Sequence, residues 1–141
     1  MALSGEVEGV LDAAFRDAKQ KKHEHLTVEH LLLALLVHAP SLDQLLRHCV
    51  VGSAGLATRL IQVVDTSTPP LKEGAVVHVT PGFQRALQRA VSYAQGGRRA
   101  VSAADVLMGI VCARQSDAYR LLLEHGLNRA AFFRRIKSQI E

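Results

Sequence analysis

The 141-residue chain has no tryptophan, and its aromatic residues are limited to four phenylalanines and two tyrosines. A core cannot be built on large rings with so few, so it must be packed from Leu, Val, Ile and Ala, of which Leu and Ala favour helix. Two cysteines are too few for a disulfide framework; Cys49 and Cys112 stand far apart in apolar surroundings and are expected to be reduced, buried thiols. Only four prolines interrupt the chain, which leaves room for helices of ordinary length. The longest unbroken apolar run, Leu31 to Val37, is seven residues, against the roughly 20 that a membrane-spanning helix needs. Glu6 and Glu8 stand where a secretory leader would carry positive charge and then an apolar stretch, so a cytoplasmic location is expected. No glycine is followed by lysine, which excludes a phosphate-cradling loop of the Walker type, and no G-x-S-x-G elbow is present. Nucleotide hydrolysis and covalent catalysis therefore have nothing to start from, and histidine is the remaining candidate for chemistry.

What is present points to an all-α domain. Hydrophobic residues make up 48% and charged residues 21%, ordinary globular values that exclude a disordered or fibrous chain. Val7, Val10, Leu11, Ala14, Phe15 and Ala18 recur at the spacing of a helix with one buried stripe. Thr27 is a candidate N-cap for the run VEHLLLALLV, which is apolar almost all round and is therefore expected at the centre of the fold, with Pro40 ending it. Ser41 to Gln44 reads as a capping box before a short third helix with Leu42, Leu45 and Leu46 inward. A fourth helix starts at Gly52 or Ser53 and turns Leu56, Leu60, Ile61 and Val64 inward. Residues 65–79, with Pro69, Pro70 and Gly74, read as a linker, and Thr80-Pro81 restarts helix.

The second half repeats the first. Leu11 matches Leu87, Ala14 matches Ala90, Phe15 matches Val91 and Ala18 matches Ala94. After a one-residue deletion Thr27 matches Ser102, Leu32 matches Leu107 and Leu35 matches Ile110. With that residue restored, Leu45-Leu46 match Leu121-Leu122, Val51 matches Leu127, Leu56 matches Phe132 and Leu60 matches Ile136. The pattern predicts one domain over 1–141: a four-helix repeat at 5–64, the linker at 65–79 and a second repeat at 80–140. Two copies are too few for an open solenoid, so the eight helices should close into one body with a pseudo-twofold axis. Gly126 is expected to terminate a helix in the left-handed conformation.

Charge is unevenly spread. Residues 1–70 hold 6 Lys and Arg against 8 Asp and Glu, and residues 71–141 hold 11 against 5. No aromatic platform accompanies the basic half, so a solvated basic face is expected there rather than a nucleic-acid site. His23, His25 and His30 cluster near Glu24 and Glu29, and imidazole with carboxylate is a zinc-binding chemistry. A small metal-dependent hydrolase is the enzyme class this group would allow, but the H-E-x-x-H spacing is not met, and a hydrated loop at a helix start is the favoured account.

The strings HEHLTVEHLLLALL at 23–36 and FQRALQRAV at 83–91, set in this duplication, resemble the N-terminal domain of ClpA-type Hsp100 unfoldases, within the Clp repeat family. The resemblance covers nearly the whole chain and implies an eight-helix duplication that docks protein substrates or the adaptor ClpS for a Clp ATPase ring, with no turnover and no cofactor of its own. It places adaptor contacts on Glu24, Glu29, Thr80 and Arg89, with Pro81-Gly82 departing from the family's usual pattern beside Thr80. It also implies alternatives: a stand-alone Clp regulator, or, by likeness to the ClpC branch, a phosphoarginine-binding module with a carboxylate at each second helix, here Glu29 and Asp105. Thr80 and the Ser102–Asp105 capping box have plain structural duties as well.

Overall fold

The computed structural model describes residues 2–49, 53–96 and 99–140; Val50, Val51 and Gly52, where the sequence sets Val51 against Leu127 and allows the fourth helix to begin, lie outside the described residues. The first unit contains α1 (Gly5–Gln20), α2 (Val28–His38), α3 (Asp43–Cys49) and α4 (Ser53–Ser67). The second contains α5 (Pro81–Gly96), α6 (Ala103–Val111), α7 (Asp117–Glu124) and α8 (Arg129–Ile140). Two short strands, β1 (His25–Leu26) and β2 (His78–Val79), pair in parallel. The architecture is thus the expected all-α eight-helix duplication with a minimal sheet added.

Side-chain chemistry sets the helix ends. Ser4 caps α1, its hydroxyl accepting the Val7 N–H at 3.2 Å, and Glu6 and Glu8 sit in the electropositive first turn. Thr80 does the same for α5 through the Phe83 N–H at 3.3 Å, with Pro81 at the first helical position. α7 ends at Gly126, whose φ of 90° permits the Leu127 N–H to reach Leu122 O at 2.9 Å and the Gly126 N–H to reach Leu123 O at 3.1 Å, a complete Schellman closure. The expected capping box at Ser41 does not form. Residues Pro40–Leu42 make a 3-10 turn, and Ser41 donates its N–H and hydroxyl to the Glu6 carboxylate while Gln44 stays exposed. That interaction ties the α2–α3 connection to α1, a partner that local sequence spacing could not supply.

α2 lies at the centre, packed by α1, α4, α5, α6 and α7, with Leu31, Leu32 and Leu35 wholly buried. Many matched pairs of the duplication are buried in both copies: Ala14 and Ala90, Ala18 and Ala94, Leu32 and Leu107, Leu35 and Ile110, Leu56 and Phe132, Leu60 and Ile136, while Leu11 and Leu87 are half-buried in both. Two residues expected inside are not. Phe15 is 41% exposed because the α1 stripe is centred on Val10 and Ala14, with Ala13 rather than Phe15 completing it, and Ile61 is 39% exposed at the margin of the Leu56–Leu60–Val64 stripe. Cys49 is buried as expected, whereas Cys112 is only half-buried; both are free.

The linker is not a free tether. α4 continues through residues 65–67, and residues 69–79 then run back along the start of α2: the Glu24 N–H donates to Pro69 O at 2.9 Å, the Leu71 N–H to Lys22 O at 2.6 Å and the His78 N–H to Glu24 O at 2.9 Å. β2 delivers Thr80, whose N–H donates to Leu26 O at 3.1 Å. The same contact recurs with the units exchanged, where the Ser4 N–H donates to Val101 O at 2.9 Å and Leu3 bridges Val101 in parallel. Each unit's first helix is therefore strapped, at its N-cap, to the segment that leads into the other unit's second helix.

The two second helices begin on different chemistry at the same place. Thr27 caps α2 by accepting the His30 N–H at 3.3 Å, and His30 Nδ1 accepts the Thr27 backbone N–H at 3.0 Å. A backbone amide can only donate, so His30 must carry its proton on Nε2, which donates to His23 Nδ1 at 2.9 Å, and His23 Nε2–H then donates to Asp65 Oδ1 at 3.0 Å. In α6 the corresponding box is Ser102 with Asp105, and the neighbour is a cation: Arg99 Nη2 donates to Asp105 Oδ1 at 2.6 Å. Burial alone would raise the Asp105 carboxyl, but hydrogen bonds from Arg99 and Ser102 outweigh it and hold the group below the usual range.

Two stability predictions follow from these contacts. The Ala86, Ala90 and Ala94 face of α5 lets α6 approach so closely that a Cβ on Gly109 would collide with the Ala86 carbonyl oxygen. Gly109→Ala should destabilise by about 1–3 kcal/mol or more, because backbone must shift. Gly9→Ala, where a Cβ meets nothing within 4 Å, should instead gain about 0.5–1 kcal/mol of helix propensity; paired urea titrations separate the two. His30 is held neutral down to about pH 4, first by burial and then by the nearby charges of His23 and Lys21. Between its ordinary value of 6.5 and about 4 the unfolded chain binds a proton that the folded chain refuses, so stability falls as pH drops through that window. The loss amounts to at most about 3 kcal/mol. Urea midpoints at pH 7 and pH 5 should show a shallower pH slope for His30→Gln, whose amide oxygen can still accept the Thr27 N–H.

Candidate functional site

The start of α2, the start of α5 and the turn between α6 and α7 enclose an open cavity of about 640 Å³. The straps described above place it there, since β1 and β2 bring Thr27 and Thr80, the caps of α2 and α5, side by side. Its wall includes Glu29, Thr80, Arg85, Arg89, Arg114 and Asp117. A second hollow of about 360 Å³ shares Arg85 and Arg89 and extends along α5 past Gln88 and Ser92 to Tyr93, so the two form one groove along the helix. Gly82 lets the first turn of α5 approach α2 closely, since a Cβ there would come within 3.2 Å of Val28 Cγ2. The Pro81-Gly82 pair beside Thr80 thus has a local function: Pro81 begins the helix and Gly82 clears its first turn against α2.

Of the four expected contact residues, three meet in this groove and one does not. The Glu29 carboxylate accepts the Ala118 N–H at 2.9 Å, bracing the first turn of α7 from another unit. Burial raises its pKa; the Ala118 hydrogen bond opposes the rise, and the neighbouring Asp117 carboxylate adds to it. The Thr80 hydroxyl is used twice, donating to Leu26 O at 3.2 Å and accepting from Phe83 N–H. Arg89 is half-buried and donates to Gly109 O at 3.3 Å. Glu24 lies outside the groove wall, half-buried on the loop before β1, with its backbone paired to Pro69 and His78.

Sequence reasoning missed Arg85 and Arg114. Arg85 stands one helical turn before Arg89, and that i, i+4 pair within FQRALQRAV was the available signal. Arg114 had none, because it reaches the groove from the α6–α7 turn, whose position depends on packing. Cys112 also lines the cavity, its Sγ 3.4 Å from the Tyr93 hydroxyl; that hydrogen bond, with burial, pushes Tyr93 up to about 12.

The pairing of Glu29 with Asp105 as twin external carboxylates is corrected by the structure. Since Thr27 and Ser102 are equivalent caps, Glu29 corresponds to Ala104, and Asp105 corresponds to His30. Asp105 is fully buried and closed by Arg99 and Ser102, so it cannot receive a guanidinium from outside. The histidine group does not converge as metal ligands do: His23 and His30 spend their ring nitrogens on each other, Asp65 and Thr27, while His25 lies on β1 opposite His78. No group of three or more His, Cys, Asp or Glu residues able to hold a metal occurs among the described residues. Parts of the basic second half are structural: Arg99 closes on Asp105, and Arg129 lies over the Tyr119 and Phe133 rings and donates to Val111 O at 3.2 Å. No helix among the described residues is long and apolar enough to cross a membrane.

Comparison with known proteins agrees with this architecture. A ClpA homolog protein from Fuscovulum blasticum is 34% identical over 132 residues, covering 91% of this chain. A chaperone protein ClpB from Chlamydia pneumoniae is 36% identical over 89 residues, covering 62% of this chain. The chain spans only 16% and 10% of the lengths of these two relatives. Among solved structures, the Hsp104 N-terminal domain from Candida albicans superposes with a TM-score of 0.80 at 13% identity, covering 96% of this chain and 89% of that one. A ClpV N-domain in complex with a VipB peptide gives 0.67 at 20% identity, covering 96% and 87%. These likenesses establish the fold. The Clp repeat (R) N-terminal domain family matches residues 2–125, and the chain belongs to that family.

Proposed function

We propose that the groove is a protein-docking site, and that the domain is the recognition module of a ClpA-like ATP-dependent unfoldase, receiving a ClpS-type adaptor and protein substrates for a Clp ATPase ring. The observation that carries this is the convergence of Glu29 on α2 with Thr80 and Arg89 of the α5 cap and helix, from different units, on one open cavity. A related ClpV N-domain is known with a peptide bound, which supports peptide or protein recognition as the use of this fold. The work proposed is binding without turnover, in the cytoplasm, and neither a membrane nor nucleic acid is a proposed partner.

The groove's contacts are polar and open to solvent, so docking should be reversible and should weaken as salt screens the charges. Titration of the domain with a purified ClpS-type adaptor tests this. Arg89→Ala should lower affinity by about tenfold, the cost of one charge-assisted hydrogen bond. Glu24→Lys should weaken binding if the loop before β1 forms the rim of the same interface; unchanged affinity removes Glu24 from the contact set. Absence of adaptor binding at low salt would overturn the adaptor assignment.

A further inference from the structure

The groove contains more positive charge than its walls neutralise. Arg85, Arg89 and Arg114 converge on it, and among the described residues none of the three has a carboxylate within ion-pair distance. Both acids in the wall are already engaged. Glu29 is held by the Ala118 N–H, and Asp117 accepts from Arg120 at 3.0 Å. Among the described residues the Arg89 guanidinium donates to the Gly109 carbonyl alone, which leaves most of its donors open. An unneutralised set of planar guanidiniums in a groove selects carboxylates, which they can hold by paired, charge-assisted hydrogen bonds.

The spacing narrows the ligand further. Arg85 and Arg89 lie one turn apart on α5, a rise of about 6 Å. In an extended chain, side chains on one face recur every second residue, about 6.6 Å apart. Acidic residues at alternate positions therefore match the two arginines in register. A helical ligand would also present side chains about 6 Å apart at i, i+4, so the test sets glutamates at alternate positions against glutamates at that wider spacing. We propose that the groove binds an extended acidic segment of a protein partner, of the pattern Glu-x-Glu, with successive carboxylates on Arg85 and Arg89 and a third met by Arg114 across the cavity. This rests on the groove being a docking site and specifies the partner chemistry: the segment it takes is anionic, although Glu24 and Glu29 would suggest a cationic one.

The test uses the full chain and a fluorescein-labelled peptide, Gly-Glu-Ala-Glu-Ala-Glu-Gly, followed by fluorescence anisotropy at about 50 mM salt, where screening is modest. The isomer Gly-Glu-Glu-Ala-Ala-Glu-Gly carries the same charge with no two glutamates at alternate positions, and so is out of register with Arg85 and Arg89. The alternating peptide should bind more tightly than the isomer, and Arg85→Glu and Arg114→Glu should each weaken it at least tenfold. Arg134→Glu, on exposed α8 surface outside the groove, makes the same charge change and should have little effect. Circular dichroism melts of each variant verify folding. No binding, equal binding of both peptides, or an equal loss in Arg134→Glu would overturn the proposal. The adaptor titration separates the two claims: an adaptor that binds while the alternating peptide does not leaves the docking reading standing and removes this one.

Discussion

The arrangement depends on a backbone contact made twice, in which the N-cap residue of one unit's first helix donates its N–H to the carbonyl just before the other unit's second helix. Thr80 reaches Leu26 and Ser4 reaches Val101. These amides lie at helix starts, where no intrahelical acceptor exists, so the contact satisfies donors that burial would otherwise penalise. Because it joins equivalent points in opposite directions, it makes the two units reciprocal parts of one body. α2 can then be apolar on nearly all sides, since the helices that cover it come from both halves.

The groove is a consequence of that strap. Bringing the caps of α2 and α5 together leaves a hollow between their first turns, which the α6–α7 turn closes on one side. Helix starts are electropositive, and Glu29 answers one of them by bracing α7. The arginines of α5 and Arg114 then face the hollow without an acidic counterpart. Glu29 thus has a structural contact as well as a place in the groove wall, accepting the Ala118 N–H while lining the cavity beside the arginines.

The duplication also shows how two copies of one fold tolerate different interiors. The same capping position is filled by neutral His30, linked through His23 to Asp65, and by ionised Asp105 paired with Arg99. Either solution satisfies the free N–H at the cap and anchors the preceding loop. The first is sensitive to acid in a range where the second is not, because a histidine kept neutral loses ground as soon as its unfolded counterpart protonates.

Much of the helix layout was legible in the sequence. The apolar periods, Thr27, Thr80, Ser102, Gly126 and the matched leucines are local signals whose physical meaning needs only the residues beside them. The family resemblance, too, lay in short strings. The deviations came from competition that spacing does not reveal: Ser41 found Glu6 in place of its own helix, Phe15 lost the stripe to Ala13, and Asp105 turned inward to Arg99. Arg114 could not have been placed at all before the α6–α7 turn was packed. Sequence by itself determined which segments are helical and most of their caps, because caps and periodicity act within one or two turns. Tertiary structure alone decided which charges remain available at the groove, because a side chain's partner is chosen by whatever the fold brings within hydrogen-bond reach.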